Sequence, residues 1–207
     1  MRVTKGGYEA GYKGASLLWG EEPGSLVQQL MRLPQASGLD QILDLGAGEG
    51  KNSAYFVRSG ATVTAVEISH AAYQNGMRRW PEELQQVKWL GCDVRDFDFP
   101  QQYQVVLLYG ICHCLENAAE VESLIEKAQG ATELGGYHLF CAFDDGEHDM
   151  SAHPEFQPLL LPHEWYVERY RGWEHLVCQT DRLCETHPHN NIPHFHSLTR
   201  ILAKRVM

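Results

Sequence analysis

Apolar residues in this chain fall into short continuous runs separated by stretches of helical spacing. Gln41 to Leu45 is the first run, and a helical stretch from about Lys51 to Ser59 follows, with Gly60 as its left-handed stop. Thr62 to Glu67 is a second run; Ser69 then caps a helix to about Trp80, where Pro81 blocks continuation. Val87 to Leu90 gives a third strand. Tyr103 to Tyr109 is almost wholly apolar, as a strand buried on both faces should be. Ala118 to Ala131 is helical, and Gly135-Gly136 turns into a fifth strand, Tyr137 to Phe143. Leu161-Pro162 opens a helix to about Tyr170, with strands predicted at Glu174 to Cys178 and Ser197 to Lys204. Repeated β-then-α units predict an α/β fold: a seven-stranded, mostly parallel sheet with helices on both faces. The last strand is predicted antiparallel, because the chain before it is too short for another crossover.

The first 40 residues read as a leader to this pattern. Residues 1–20 are rich in glycine and tyrosine and predict a loop or short helix; Ser25 then caps a helix with Leu26, Val27, Leu30 and Leu33 on one face. Length fits a single domain over residues 1–207, and 43% hydrophobic residues supply its core. The formal net charge of -10 argues against a nucleic-acid partner and gives no attraction to anionic membranes. The opening residues lack the apolar core of a signal peptide, and no run reaches the length of a membrane span. None of the six cysteines forms C-x-x-C, and most sit in apolar runs, which predicts core cysteines of a reduced, cytoplasmic protein.

Chemistry concentrates where the predicted strands end, the side on which such sheets bind ligands. After the first strand comes ILDLGAGEG, in which Gly46, Gly48 and Gly50 allow a tight turn and let a ligand lie against bare backbone at a helix N-terminus. The spacing is G-x-G-x-G; Lys51 stands where a dinucleotide fingerprint has its third glycine. Asp44 precedes the turn and suits a cationic or amino-acid-like ligand. Glu67, ending the second strand, suits two ribose hydroxyls. Asp93, after the third, suits an adenine amino group with Val94 packed on the ring, or else caps Arg95 or a backbone turn; Ile68, following Glu67, is a further cofactor candidate. Tyr109 closes the fourth strand, and His113 follows as a candidate base or positioning group, flanked by Cys112 and Cys114. As a base it would give a rate that rises with pH through about 6.5.

Asp144 to Met150 reads as a solvated, turn-rich loop. Residues 180–196 carry His187, His189, His194 and His196. If the sixth strand is parallel to the others, this segment folds over the ligand side. Three readings stand: contact with substrate, metal binding through the H-x-H pairs, or a polar hairpin without function.

Asp44, the glycines and Glu67 resemble the class I methyltransferases that use S-adenosylmethionine, a Rossmann-like family. The segments ILDLGAGEGKNS, GATELGGYHLFCAF and RYRGWEHLVCQTDRLCETH are similar to the tellurite-resistance, TehB-type group. The resemblance implies cofactor contacts from Asp44, Gly46, Gly48, Glu67 and Asp93, a leader over the cofactor, and a substrate role for His187; Tyr8, Tyr12 and Trp19 of the leader either pack on the cofactor or close over the open edge of the sheet. Where that group carries arginines around and after this histidine, this chain has Pro188, His189 and His194, which suit an oxyanion less. The implied activity is methyl transfer to a small molecule with a chalcogen, metalloid, thiol or amine nucleophile, by a monomer or homodimer. The N/D-P-P-Y tetrapeptide of nucleic-acid amino methyltransferases is absent after the fourth strand. The alternative is a non-catalytic cofactor binder or a histidine-loop metal-binding protein.

Overall fold

Strands β1 (Gln41–Leu45), β2 (Thr62–Val66), β3 (Lys88–Leu90), β4 (Tyr103–Tyr109), β5 (Thr132–Phe143), β6 (Glu174–Glu185) and β7 (His194–Lys204) pair into one sheet in the order β3-β2-β1-β4-β5-β7-β6. The computed structural model describes residues 8–154, 156–188 and 191–207. β7 is antiparallel to both its neighbours and every other pairing is parallel, as the alternating pattern predicts. Helices α1 (Glu9–Gly14), α2 (Ser25–Met31), α3 (Lys51–Arg58), α4 (His70–Arg79), α5 (Pro81–Leu84), α6 (Ala118–Gly130) and α7 (His163–Arg169) complete the layers.

β4 explains why both faces are covered. Val105 and Leu107 point into one core with Leu26, Leu30 and Phe56 from α2 and α3. Val106 and Leu108 point into the other with Leu124 and Ile125 of α6 and Tyr166 of α7. All four strand residues are fully buried, so a run with no polar face is satisfied only in the middle of a two-sided sheet.

Several boundaries differ from the sequence reading. β5 begins at Thr132, because Gly135-Gly136 lie inside it where its register to β4 shifts. Pro81 opens the one-turn α5, as proline does at a first turn. Ser25 is the first helical residue of α2 rather than its cap; Gly24 takes the cap position, where a Cβ would lie 2.5 Å from the Tyr109 ring. Cys178 and Cys184 are exposed on β6, while Cys112 and Cys141 are buried. The largest difference is the length of β6 and β7. Pairing between β5 and β7 ends at Phe143↔Leu198, but the β6–β7 ladder continues to Glu185↔His194. Much of the predicted histidine loop is therefore a hairpin arm projecting beyond the sheet.

Gly76 sits mid-helix in α4, where glycine costs about 1 kcal/mol relative to alanine. A Cβ there would lie 2.1 Å from the carbonyl oxygen of Glu49, so the helix is pressed against the backbone of the turn after β1. Gly76→Ala is therefore expected to destabilise the protein by about 1–3 kcal/mol despite its better helix propensity, as overpacking does. Urea denaturation checks this; a variant as stable as wild type or more so would show that α4 can move off the turn freely.

Candidate active site

The turn after β1 is held open by backbone conformation. Gly46, Gly48 and Gly50 have φ of +71°, +58° and +85°, which side chains disfavour. A Cβ on Gly46 would stand 2.8 Å from Ile111, and one on Gly48 2.8 Å from the Tyr12 hydroxyl. Glu67 fixes the turn from below: its Oε2 accepts from the Gly48 N–H at 2.8 Å and its Oε1 from the Ser69 N–H at 2.7 Å. Ser69 in turn caps α4 by accepting from the Ala72 N–H. Asp44 is fully enclosed in β1 and accepts from Ser53 Oγ at 2.7 Å. Burial, reinforced by the nearby charge of Glu67, pushes the Asp44 carboxyl up to about 6; the Ser53 hydrogen bond opposes the rise.

Polar side chains from the turn and its helices strap the leader across this site. Glu49 Oε1 accepts from the Leu17 N–H at 2.7 Å and from Asn75 Nδ2 at 2.9 Å. Asn75 Nδ2 also donates to the Tyr12 and Ala15 carbonyls. Lys51 Nζ donates to the Trp19 carbonyl, and Asn52 accepts from the Gly24 N–H. Trp19 Nε1 donates to the Tyr12 hydroxyl at 3.0 Å, so the two leader aromatics are fixed as a unit.

Between leader, turn and the ends of β4, β5, β6 and β7 lies a cavity of about 470 Å³, within the range of small-ligand sites. It brings together Tyr12, Trp19, Gly46, Gly48, Tyr109 and His113 from the predicted set. Asp44 and Glu67 lie buried around the turn rather than in the cavity lining. Ile68, Asp93 and Val94 stand outside that lining. Ile68 is half exposed, Val94 packs into the core, and both oxygens of Asp93 hold Arg95, at 2.6–2.9 Å, while Asp93 caps the following 3₁₀ turn.

His113 is not placed as a free base. Its Nδ1 accepts from the Phe143 N–H at 3.1 Å, which puts its proton on Nε2, facing the Tyr8 hydroxyl at 3.3 Å. The ring stacks on Phe143 at 4.1 Å, and burial pushes its pKa down to about 3. It is therefore neutral throughout the ordinary pH range, and the pH step near 6.5 is not expected from it. His187 is buried and does not line the cavity; its Nδ1 bonds the Leu18 carbonyl and its Nε2 lies 3.0 Å from that of His153. His194 and His196 are buried on β7 beside it, and His189 lies outside the described residues. The loop after β5 is also not simply solvated. Asp144 is buried and accepts from Thr199, and His148 meets His196.

Sequence reasoning missed Glu49, Asn75, Glu185 and Arg200. Glu49 and Asn75 look like ordinary turn and helix positions, and only the return of the leader gives them partners. Glu185 and Arg200 lie on the hairpin arm and β7, where they line the cavity opposite the turn.

Residues 42–136 match the family described as a methyltransferase domain. Among curated proteins the chain is similar to a demethylmenaquinone methyltransferase of Tropheryma whipplei, 28% identical over 105 residues, covering 50% of this chain and 42% of that protein. The chain thus spans less than half the length of the curated relatives it matches. Among solved structures it resembles TehB from Haemophilus influenzae, with a TM-score of 0.71 at 18% identity over 86% of this chain and 62% of that one. It also resembles the N-methyltransferase NodS from Bradyrhizobium japonicum, solved with S-adenosyl-L-homocysteine, with a TM-score of 0.67 at 12% identity over 97% and 99% of the two chains. The matched segment carries the glycine turn, Asp44 and Glu67, and the sheet order is that of the whole fold. Residues 42–136 thus match a methyltransferase-domain family, and the chain carries the Rossmann-like, mostly parallel sheet of the solved structures it resembles.

Proposed function

We propose that this protein transfers the methyl group of S-adenosylmethionine to a small-molecule nucleophile held at the His113–Phe143 end of the cavity. The observation that carries this reading is the shared cavity, which has the bare backbone of Gly46 and Gly48 at one end and an aromatic wall with His113 at the other. The chain's residues fit the cofactor: a glycine cradle that a Cβ would fill, two carboxylates buried around the turn, and Lys51 and Arg200 as cations in the lining. When bound, the cofactor supplies an electrophilic methyl on a sulfonium. The chain's contribution is to orient. Phe143, Leu198 and Cys141 give the acceptor apolar contact, while the Tyr8 hydroxyl, held by the Nε2–H of His113, offers a hydrogen bond. Catalysis rests on alignment more than on proton removal.

Within the class, the segments around Asn52-Ser53 and Glu185-Thr186-His187 support a place near the TehB-type group, with a thiol, amine or chalcogen acceptor. The acidic net charge of -10 favours a small molecule over nucleic acid. Among the described residues, no helix is long and apolar enough to cross a membrane. A cytoplasmic monomer or homodimer made of one domain is the simplest setting for this chemistry.

The test is release of S-adenosylhomocysteine across a panel of thiols, amines, phenols, selenite and tellurite. Binding without turnover anywhere in the panel would favour the non-catalytic reading. With any accepted substrate, His113→Phe should lower kcat by about 10- to 100-fold as a lost positioning contact, with cofactor affinity nearly unchanged. The wild-type rate should show no step near pH 6.5; a step there that vanishes in the variant would restore His113 as a titrating base.

A further inference from the structure

The arm formed by β6 and β7 gathers histidines that the cofactor cavity does not use. Register places Glu185 opposite His194 and Leu183 opposite His196, and residues two apart on a strand share a face. His187 follows the end of β6, and His153 arrives from the segment after β5. Their inner atoms converge. His153 Nε2 lies 3.0 Å from His187 Nε2 and 3.2 Å from His194 Nε2. Glu185 Oε1 lies 3.8, 3.6 and 3.9 Å from the Nε2 atoms of His187, His194 and His196. One ligand atom from each of His153, His194 and His196 lies within 4.8 Å of the others, and the same holds for Glu185, His187 and His194.

The outer ring nitrogens set the proton positions. His187 Nδ1 bonds the Leu18 carbonyl at 3.1 Å, and His194 Nδ1 bonds the Ile192 carbonyl at 2.8 Å. A carbonyl only accepts, so each ring carries its proton on Nδ1 and turns the Nε2 lone pair inward. His148 Nε2 bonds the Asp144 carbonyl at 2.8 Å, which leaves His148 Nδ1 as an acceptor for His196 Nδ1 at 3.2 Å. His196 Nε2 is therefore a lone pair as well; it is buried and has no hydrogen-bond partner among the described residues. His153 Nε2 lies against the lone pairs of His187 and His194, and His196 Nε2 and Glu185 Oε1 stand beside them, so inward atoms of four imidazoles and a carboxylate converge on one small volume. Outer nitrogens tied to carbonyls are the usual support for metal-bound histidine. Nitrogen ligands on a tetrahedral zinc, at about 2.0–2.1 Å, sit about 3.3–3.4 Å apart, close to the spacing around His153.

We propose that His153, His187, His194 and His196, with Glu185 supplying the negative charge, form a binding site for a divalent transition metal of the zinc type. Imidazole with one carboxylate is the donor set of that class rather than of magnesium or calcium. The site joins four segments: both strands of the arm, the segment after β5, and the leader through the Leu18 carbonyl. It also abuts the cavity. Glu185 lines it, and His196 stacks at 4.3 Å on Phe143, whose ring also stacks with His113. A metal here would clasp the leader to the arm beside the acceptor end.

Tag-free, full-length protein is stripped with EDTA, desalted and titrated with zinc chloride by calorimetry, with metal content read by plasma mass spectrometry. Wild type is expected to take about one equivalent per chain and to rise in Tm on loading. Cobalt(II) should give the visible bands of a low-coordinate nitrogen site. His194→Ala/His196→Ala should lose the equivalent, whereas Cys178→Ser/Cys184→Ser, at exposed thiols, should keep it. If the double histidine variant does not fold, Glu185→Gln keeps the shape of the site and should weaken zinc by about tenfold or more. Substoichiometric uptake by wild type, or equal zinc affinity of Glu185→Gln and wild type, would overturn the site. S-adenosylhomocysteine affinity, measured on the same samples, tests the cofactor reading separately, since neither result depends on the other.

Discussion

Asp44→Asn is expected to make the ligand-free protein more stable at pH 8 while weakening its hold on S-adenosylmethionine. Asp44 is fully buried and its carboxyl is pushed up to about 6, chiefly by burial. At about 1.4 kcal/mol per pH unit, keeping this group ionised costs the fold about 3 kcal/mol. The sign follows from the raised value. Below about pH 4 the group is neutral in both folded and unfolded chains and costs nothing. As pH rises from about 4 to 6 the unfolded chain ionises first and native stability falls; above that the cost is constant. The asparagine removes the charge and can still accept from Ser53. Its advantage should therefore approach about 3 kcal/mol at pH 8 and vanish near pH 4. The same substitution removes a carboxylate that lies beneath the glycine turn, and cofactor affinity is expected to fall by about tenfold or more. Urea denaturation at the two pH values, with calorimetry at pH 8, checks both halves. A variant less stable than wild type at pH 8 would mean that Asp44 is held ionised by partners other than Ser53.

Glu67→Ala should be the more damaging change. Glu67 receives the Gly48 and Ser69 N–H groups, so its removal leaves two backbone donors unpaired next to the turn. Hydrogen bonds to a charged acceptor contribute about 1.5–3 kcal/mol each. The expected outcome is a loss of about 3–6 kcal/mol in stability together with a fall in S-adenosylhomocysteine affinity of at least about tenfold. Glu67→Gln, which keeps an acceptor oxygen, should recover part of the stability and less of the affinity. Calorimetry on the glutamine variant separates folding from binding; full affinity there would remove Glu67 from the cofactor site.

The sheet was legible because its strands are buried on two faces, so their apolar runs stand out without periodicity. Asp44, Gly46, Gly48 and Glu67 stood out as candidates for a related reason: they sit at strand ends, the side on which such sheets bind ligands. The arm was not legible. Residues 180–185 and 194–196 mix histidine, acid and apolar side chains, which reads as a polar loop until pairing gives them a shared face. His153 carried no signal at all, since its partners are supplied by a hairpin 34 and 41 residues further on. Gly76 was silent as well. A glycine inside a helix looks like a weak helix former, and only the carbonyl of Glu49 against its Cα explains it.

The two edges of the sheet are unequal. β3 ends it on one side with 3 residues, while β6 ends it on the other with 12. A strand of that length offers a ladder of roughly 40 Å for pairing with another chain. Few natural proteins leave such an edge unguarded. Here the guard is chemical: Glu174, Asp181 and Arg182 interrupt the strand, and an approaching β6 from a second molecule would bring its own acids against them. Solubility at high protein concentration therefore depends on those side chains, and neutralising Glu174 and Asp181 together would turn this edge into a seam for sheet-extending self-association.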